Sequence, residues 1–337
     1  MNHEEVQRLL STIGNAVCDY VYQSLQDNEH TELREVAEET KEDTIYKIDK
    51  DVEKIIIPLL EENAKALGGI KLIAEGLSSE KDKYVFPSHF NEEQVRVLII
   101  MDPIDGTRGI MYNKRSAFFL AAAAPYFGDP LYLQDLEVAV MTEIPTSKAY
   151  LSDSLYAIRN QGAFGFRRNL FNNEISTLNF KPSNASSIIG GFAQISRFFP
   201  PGKDILARME EELISKLSEI KEGKAIVFED QYISSGGQLY ELLMGHDRFT
   251  ADLRPPLYEN LSKNGTPSGL TCHPYDVCAS LIGEEAGIII TDIEGKNLNV
   301  PLDLHTPVCW IAYANAYIQK QVEPVLKNIL RKNNWTK

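Results

Sequence analysis

Apolar residues near the start of the chain recur at helical intervals: Val6, Leu9, Leu10, Ile13, Val17 and Val21. Steps of three and four residues put them on one face, which predicts a long amphipathic helix over residues 3 to about 27. The same period in Val52, Ile55, Ile56, Leu59 and Leu60 predicts a second helix from about Lys50 to Leu67. Pro58 removes one of its hydrogen bonds, and Gly68-Gly69 ends it. The rhythm then changes. Ile70 to Ala74 has the length of a short strand, and Val95 to Met101 (VRVLIIM) is an apolar strand that Asp102-Pro103 is expected to stop. Between Ala117 and Phe166 the pattern predicts several antiparallel strands, including Glu137 to Thr142 and a hairpin across Lys148 to Ile158.

The second half alternates. Strand Ser187 to Phe192, helix Lys203 to Ile220 and a strand near Ala225 to Phe228 are followed by helix Gln238 to Met244. A strand near Arg248 to Leu253 and helix Tyr275 to Ala286 come next. Strands Ile288 to Thr291 and Val308 to Tyr313 precede a final helix from about Ala314. This is an α+β pattern: an antiparallel first lobe (1–185) and an alternating second lobe (186–337). A length of 337 residues suits one two-lobed domain or two joined ones.

Composition removes several classes. At 43% apolar and 24% charged, the chain is not disordered. Its longest apolar run, Ala117 to Phe127, is too short for the roughly 20 residues of a membrane span. The acidic, amphipathic start is unlike a signal peptide, so a cytoplasmic protein without a membrane partner is expected. With 34 basic and 48 acidic residues the net charge is −14, the wrong sign for tracking nucleic-acid phosphates. Metal ions between its carboxylates and a phosphate would still let such a chain bind a small phosphorylated metabolite. Cys18, Cys272, Cys278 and Cys309 form no CxxC pair and read as reduced thiols. Sequons at Asn184, Asn260 and Asn334 carry no weight without a secretory signal. There is no HExxH, no G-x-S-x-G elbow and no G-x-x-x-x-G-K-[ST] loop.

Asp102-Pro103-Ile104-Asp105-Gly106-Thr107 follows the buried strand directly. Asp, Pro and Gly also build ordinary turns, so a strand-ending turn is the plain alternative. As chemistry, two carboxylates and the Ile104 carbonyl are hard oxygen ligands of the kind Mg²⁺ takes. The Gly106 and Thr107 amides could form a small anion-binding concavity. Glu75 ends the strand before, and Asp276 stands in His273-Pro274-Tyr275-Asp276 at a helix start. A solvated strand end and a helix-start residue are their plain readings. Gly236-Gly237 precede a helix and could cradle a ligand or simply start it. Arg108, Lys114 and Arg115 could meet a phosphate or remain solvated.

Taken together, these residues resemble the inositol monophosphatase-like phosphatases, the metal-dependent superfamily that includes fructose-1,6-bisphosphatases and 3'(2'),5'-bisphosphate nucleotidases. The family places an Asp after its first helix, a Glu in Gly-Glu-Glu, then Asp-Pro-Ile/Leu-Asp-Gly-Thr/Ser and, much later, Trp-Asp-x-Ala-Ala. Here they read as Asp49 in YKIDKDVEK, Glu75 in IAEG, Asp102 to Thr107 complete, and HPYDVCAS around Asp276. EEAGIII (Glu284 to Ile290) and Gly162-Ala163-Phe164 match further family segments. Two positions depart: Gly76 replaces the second Glu, and Tyr275 replaces Trp. Gly283-Glu284-Glu285 spells the lost motif, but in a structural stretch, and is rejected as a ligand. Leu253 to Thr271 matches no family segment residue by residue.

The resemblance implies a layered αβαβα sandwich with the site between two lobes. It implies Mg²⁺-dependent hydrolysis of a small phosphate monoester, an inositol or sugar phosphate, with lithium inhibition and a homodimer. Two or three Mg²⁺ ions are implied: Glu75, Asp102 and the Ile104 carbonyl would hold one, and Asp102, Asp105 and Asp276 another. Thr107, oriented by Asp49, would serve the attacking water, while Gly106, Thr107, Gly236 and Gly237 would contact substrate. A bisphosphate nucleotidase is the first alternative, because Arg108-Gly109 follows Asp-Gly-Thr, and a fructose-bisphosphatase is the next. A catalytically silent regulatory protein of the same fold is the reading from another class.

Overall fold

Helix α1 (His3–Asp27) buries Val6, Leu10, Ile13, Val17 and Val21, the stripe set by its sequence. α2 (Lys47–Ala64) lies beside it, turns in Val52, Ile56 and Leu60, and carries Pro58 within its length. The computed structural model describes residues 1–27, 36–39, 44–76, 84–219 and 222–336, with the side chains of residues 36–39, 44–47 and 49 excepted. β1 (Val36–Glu39) and β2 (Thr44–Tyr46) form a separate antiparallel pair.

The large sheet contains β3 (Ile70–Ala74), β4 (Tyr84–Phe86), β5 (Val97–Asp105), β6 (Ala117–Pro125), β7 (Val138–Ile144), β8 (Leu151–Ile158), β9 (Gly162–Asn169) and β10 (Ile175–Thr177). Their order is β10-β9-β8-β7-β6-β5-β3-β4, antiparallel throughout except for β3 beside β5. Side chains alternate between faces, so a strand covered on both sides must be apolar at every position. The first five residues of β5 obey this: Val97, Ile99 and Met101 pack toward α1 and α2, and Leu98 and Ile100 pack the other way. On that second face lie α5 (Ser235–Leu243) and α7 (Ser280–Ala286).

Beyond them comes a four-stranded sheet of β11 (Phe192–Ile195), β12 (Asp247–Asp252), β13 (Ile289–Thr291) and β14 (Trp310–Tyr313), in the order β11-β12-β14-β13. α4 (Lys203–Leu217), α6 (Arg254–Ser262) and α8 (Ala316–Lys332) cover its outer face. The layers are therefore α, β, α, β, α, as expected. Cys18, Cys272 and Cys278 are buried, Cys309 is half-buried, and all four are free thiols. Among the described residues no helix is long and apolar enough to cross a membrane.

Several local expectations change. β5 does not stop at Asp102 but runs on to Asp105 through a shift of register: Asp102 faces Leu120, while Asp105 faces Phe118. Three steps along β5 match two along β6, a bulge that tolerates Pro103 because no ladder N–H is needed there. Lys148 to Ile158 is not a hairpin but the approach to the single strand β8, whose turns lie on either side. The strand expected at Ser187 to Phe192 begins only at Phe192, and Ala225 to Phe228 contributes a single bridge between Phe228 and Phe192. The helix expected from Tyr275 is broken into a 3-10 turn, Pro274–Val277, and then α7. The short helix α3 (Thr107–Met111) and α6 were not anticipated.

Candidate metal centre

The bulge at the end of β5 fixes Asp102 and Asp105, 3% and 6% exposed, on one short arc of backbone. Asp102 Oδ1 accepts the Ile104 N–H at 2.9 Å, which locks the turn. The start of α5 meets Asp105: its Oδ2 accepts the Ser234 hydroxyl at 2.7 Å and the Gly236 N–H at 2.6 Å. Ser234 also caps α5 by accepting the Gly237 N–H at 2.7 Å. Asp276 arrives from the 3-10 turn, where its Oδ2 accepts the His273 N–H at 2.6 Å. Each carboxylate thus has one oxygen held by protein donors. One ligand oxygen from each of the three lies within 4.8 Å of the others.

Such a cluster is electrostatically incomplete. Burial, then the charges of Glu75, Asp105 and Asp276, push the Asp102 carboxyl well above the usual carboxylate range. Burial and the Asp105 charge do the same to Asp276. Asp105 is pushed up to about 6 by burial, against the Ser234, Gly236 and Ser235 donors and the Arg254 charge, which hold it down. A cation among these oxygens reverses both the desolvation and the repulsion. Hard, crowded, buried carboxylate oxygens are the donor set that fits a small divalent ion such as Mg²⁺.

The cluster lines a cleft of about 120 Å³, shared with Glu75, Ile104, Gly106, Thr107, Arg108 and Arg254. Glu75 follows β3, and its N–H is bonded to the Met101 carbonyl at 3.2 Å, beside Asp102. Gly106 has φ of 91°, a left-handed value that lets the chain turn from β5 into α3. The Thr107 hydroxyl donates to the Ile104 carbonyl at 2.6 Å. Asp49 lies outside the described residues as regards its side chain.

Of the expected substrate residues, Gly106 and Thr107 line the cleft and Gly236 and Gly237 do not. Gly236 and Gly237 are buried behind the carboxylates, among the first residues of α5. A Cβ on Gly236 would lie 2.9 Å from Asp105 Oδ2 and 2.8 Å from Leu120, and one on Gly237 would lie 2.6 Å from the Tyr232 ring. Their smallness lets the helix approach Asp105, and the residue of that segment reaching the cleft is Ser235. Arg115 does not reach the cleft lining either: it pairs with Asp230 and covers the Tyr232 ring at 4.5 Å. Glu285 is occupied in structure, accepting the N–H groups of Asn160 and Gly162 at 2.8 Å each.

Sequence reasoning missed Ser234, Arg254 and the pair Phe198 and Phe199, all on the cleft wall. Ser234 was legible as a serine one residue before the helix. Arg254 had a faint signal in Asp252-Leu253-Arg254, two opposite charges at the end of a strand.

No protein-family model and no curated protein matches the chain at the level of sequence. Solved structures do match it in fold. A fructose-1,6-bisphosphatase from Leishmania major, in holo form, superposes with a TM-score of 0.68 at 14% identity, covering 98% of this chain and 96% of that one. A staphylococcal inositol monophosphatase complexed with products gives 0.62 at 15% identity, over 99% and 97%. An inositol monophosphatase from Thermotoga maritima gives 0.58 at 17%, over 96% and 98%. The fold is that of the inositol monophosphatases and fructose-bisphosphatases, along the whole chain.

Proposed function

We propose that this chain is a Mg²⁺-dependent phosphatase of the inositol monophosphatase-like superfamily, acting on a small phosphate monoester such as an inositol or sugar phosphate. The supporting observation is the convergence of Asp102, Asp105 and Asp276, from a β-bulge and a distant 3-10 turn, in one cleft. Glu75, Asp102 and the Ile104 carbonyl would hold one ion, and Asp102, Asp105 and Asp276 another. A bound divalent ion supplies Lewis-acid polarisation of the phosphoryl group and neutralises its charge.

The chain's own groups do the rest. Gly106 and Thr107 border the cleft where a phosphate would rest, and Thr107 Oγ1 would position the attacking water, with Asp49 orienting it. The bulge holds Asp102 and Asp105 rigidly, so few rotamers need be frozen when substrate arrives. Arg108 on the cleft wall favours, as a second reading, a bisphosphate substrate of the nucleotidase or fructose-bisphosphatase type.

The test is phosphate release from inositol 1-phosphate, fructose 1,6-bisphosphate and adenosine 3',5'-bisphosphate, with Mg²⁺ and with excess chelator. Release that needs Mg²⁺ and slows with Li⁺ is expected. Full activity in chelator rejects the metal mechanism, and no release from any substrate favours a silent binding protein.

A further inference from the structure

Ser235 and Asp276 line two cavities. One is the carboxylate cleft, and the other is a small void among α5, the 3-10 turn, α7 and the four-stranded sheet. Four of the eight residues around that void are polar: Ser235, Asp276, Ser280 and Trp310. Trp310 stands on β14 and is only 2% exposed. Its Nε1 is buried and has no hydrogen-bond partner among the described residues. An indole nitrogen can only donate, and a buried one ordinarily finds an acceptor, because an unpaired donor loses its hydration for nothing.

The void measures about 10 Å³. One water needs roughly 10–15 Å³ and about two to four polar partners, whereas apolar voids stay dry. The size therefore admits a single water and nothing larger, and the lining supplies its partners. The indole N–H can donate to the water oxygen, and the Asp276 carboxylate can accept one of its protons. Ser235 already directs its own proton to Cys272 Sγ at 3.6 Å, which leaves its oxygen to accept.

Asp276 is the ligand that most needs such a contact. Asp102 and Asp105 are fixed by one bulge of β5, whereas Asp276 comes from a short 3-10 turn with its Oδ2 on the His273 N–H. A donor on the void side restrains the rotation of that carboxylate, so less ordering is left for a metal to impose. Partners behind a ligand commonly set its orientation and with it the affinity for metal.

We infer that one buried water joins the Trp310 indole to the Asp276 carboxylate, and that Trp310 is thereby a positioning residue of the metal centre. This rests on the reading of Asp102, Asp105 and Asp276 as that centre.

The first measurement needs no metal. The chain has two tryptophans, so Trp335→Phe leaves Trp310 as its only indole. In that protein, labelled with ¹⁵N, the Trp310 N–H should show a nuclear Overhauser contact with water while exchanging slowly in deuterated solvent. Slow exchange without a water contact means a dry void and overturns the inference. The second measurement replaces Trp310, in the same background, by 3-benzothienylalanine, which keeps the bicyclic shape and lacks the N–H. The midpoint of a Mg²⁺ titration followed by calorimetry should weaken about tenfold. Trp310→Phe should weaken it similarly, with an added loss of Tm from the smaller ring. A side chain that only fills space predicts otherwise: the isostere keeps the midpoint, and Trp310→Phe lowers Tm alone. That result also overturns the inference. A water contact at the indole in a protein that binds no Mg²⁺ would reject the metal reading, and the positioning role with it, while the water link itself would stand.

Discussion

Two clusters of acidic side chains lie along the same pair of strands, and they are built in opposite ways. Around Lys71 on β3 the cation is part of the chain: its fully buried Nζ reaches Glu92 and Asp129 at 2.5 Å each and the Tyr126 hydroxyl at 2.9 Å. Tyr126 also donates to Glu92. The two carboxylates remain about half exposed, 45% and 42%, so water shares in solvating them. Past the end of β3, Asp102, Asp105 and Asp276 have neutral donors but, among the described residues, no lysine or arginine within 4 Å. Burial makes the Lys71 group a finished structural element and the aspartate group an unfinished one. Both are acidic, and both lie beside β3. An internal cation, and the access of its partners to water, separate structure from site.

The largest expected effect tests the unfinished cluster. Asp102→Asn or Asp276→Asn should lower phosphate release by more than about 100-fold. A metal that binds only the folded state adds about 2.7 kcal/mol at a hundredfold excess over Kd, so calorimetry should show wild type gaining Tm with Mg²⁺ and either variant gaining clearly less. Without metal both variants should melt above wild type, since one charge of a repelling set is gone. An unchanged Mg²⁺ response in Asp276→Asn would remove Asp276 from the ligand set, because Asn can still accept the His273 N–H.

Lys71→Met should act in the opposite sense. Removing the built-in cation is expected to cost about 1–3 kcal/mol, at or below the range for broken buried pairs because its partners can rehydrate. The Mg²⁺-induced shift should stay as in wild type. Loss of that shift would mean the two clusters are one electrostatic unit and would undo the contrast.

Asp247 offers a case between the two: a buried acid, 6% exposed, with neither, among the described residues, a cation in contact nor the crowding of the metal group. Burial, then the Glu241 charge, pushes it up to about 7 from 3.8. A folded value above the unfolded one means the neutral form is favoured. Its contribution to stability is therefore fully present below pH 3.8 and is lost as pH rises through about 7. Asp247→Asn should raise metal-free stability at pH 8 by about 1–2 kcal/mol and by nothing near pH 4, flattening the profile between. A parallel profile would show that Asp247 is hydrated in solution.

The smallest effect concerns how the metal group is held. Ser234→Ala removes both the cap of α5 and a donor to Asp105, and should cost about 1 kcal/mol. It should also weaken the midpoint of the Mg²⁺ titration about tenfold, as loss of a group that orients a ligand does. A stability loss with an unmoved midpoint would assign the serine to capping alone.

What the sequence determined by itself is local. The 3.6-residue period placed α1, and the apolar run ending at Met101 marked β5 as a buried strand, because each is a statement about neighbours in the chain. Asp102 to Thr107 was legible for the same reason: the ligand types and the turn that gathers them sit in six consecutive residues. The resemblance implied that Glu75 and Asp276 join Asp102 and Asp105 around metal ions, but nothing in their spacing along the chain could bring them together. The tertiary structure decided the rest. Register against β6 turned an apparent strand stop into a bulge, which sets Asp105 beside Asp102. Packing of α5 against that bulge gave Gly236 and Gly237 the task of making room, where their pairing before a helix had suggested ligand contact. Arg254 entered the cleft because β12 ends at its wall, a consequence of how two sheets stack across a helical layer. Periodicity records which face of an element is buried. It does not record what lies opposite, and a site built from three elements depends on that.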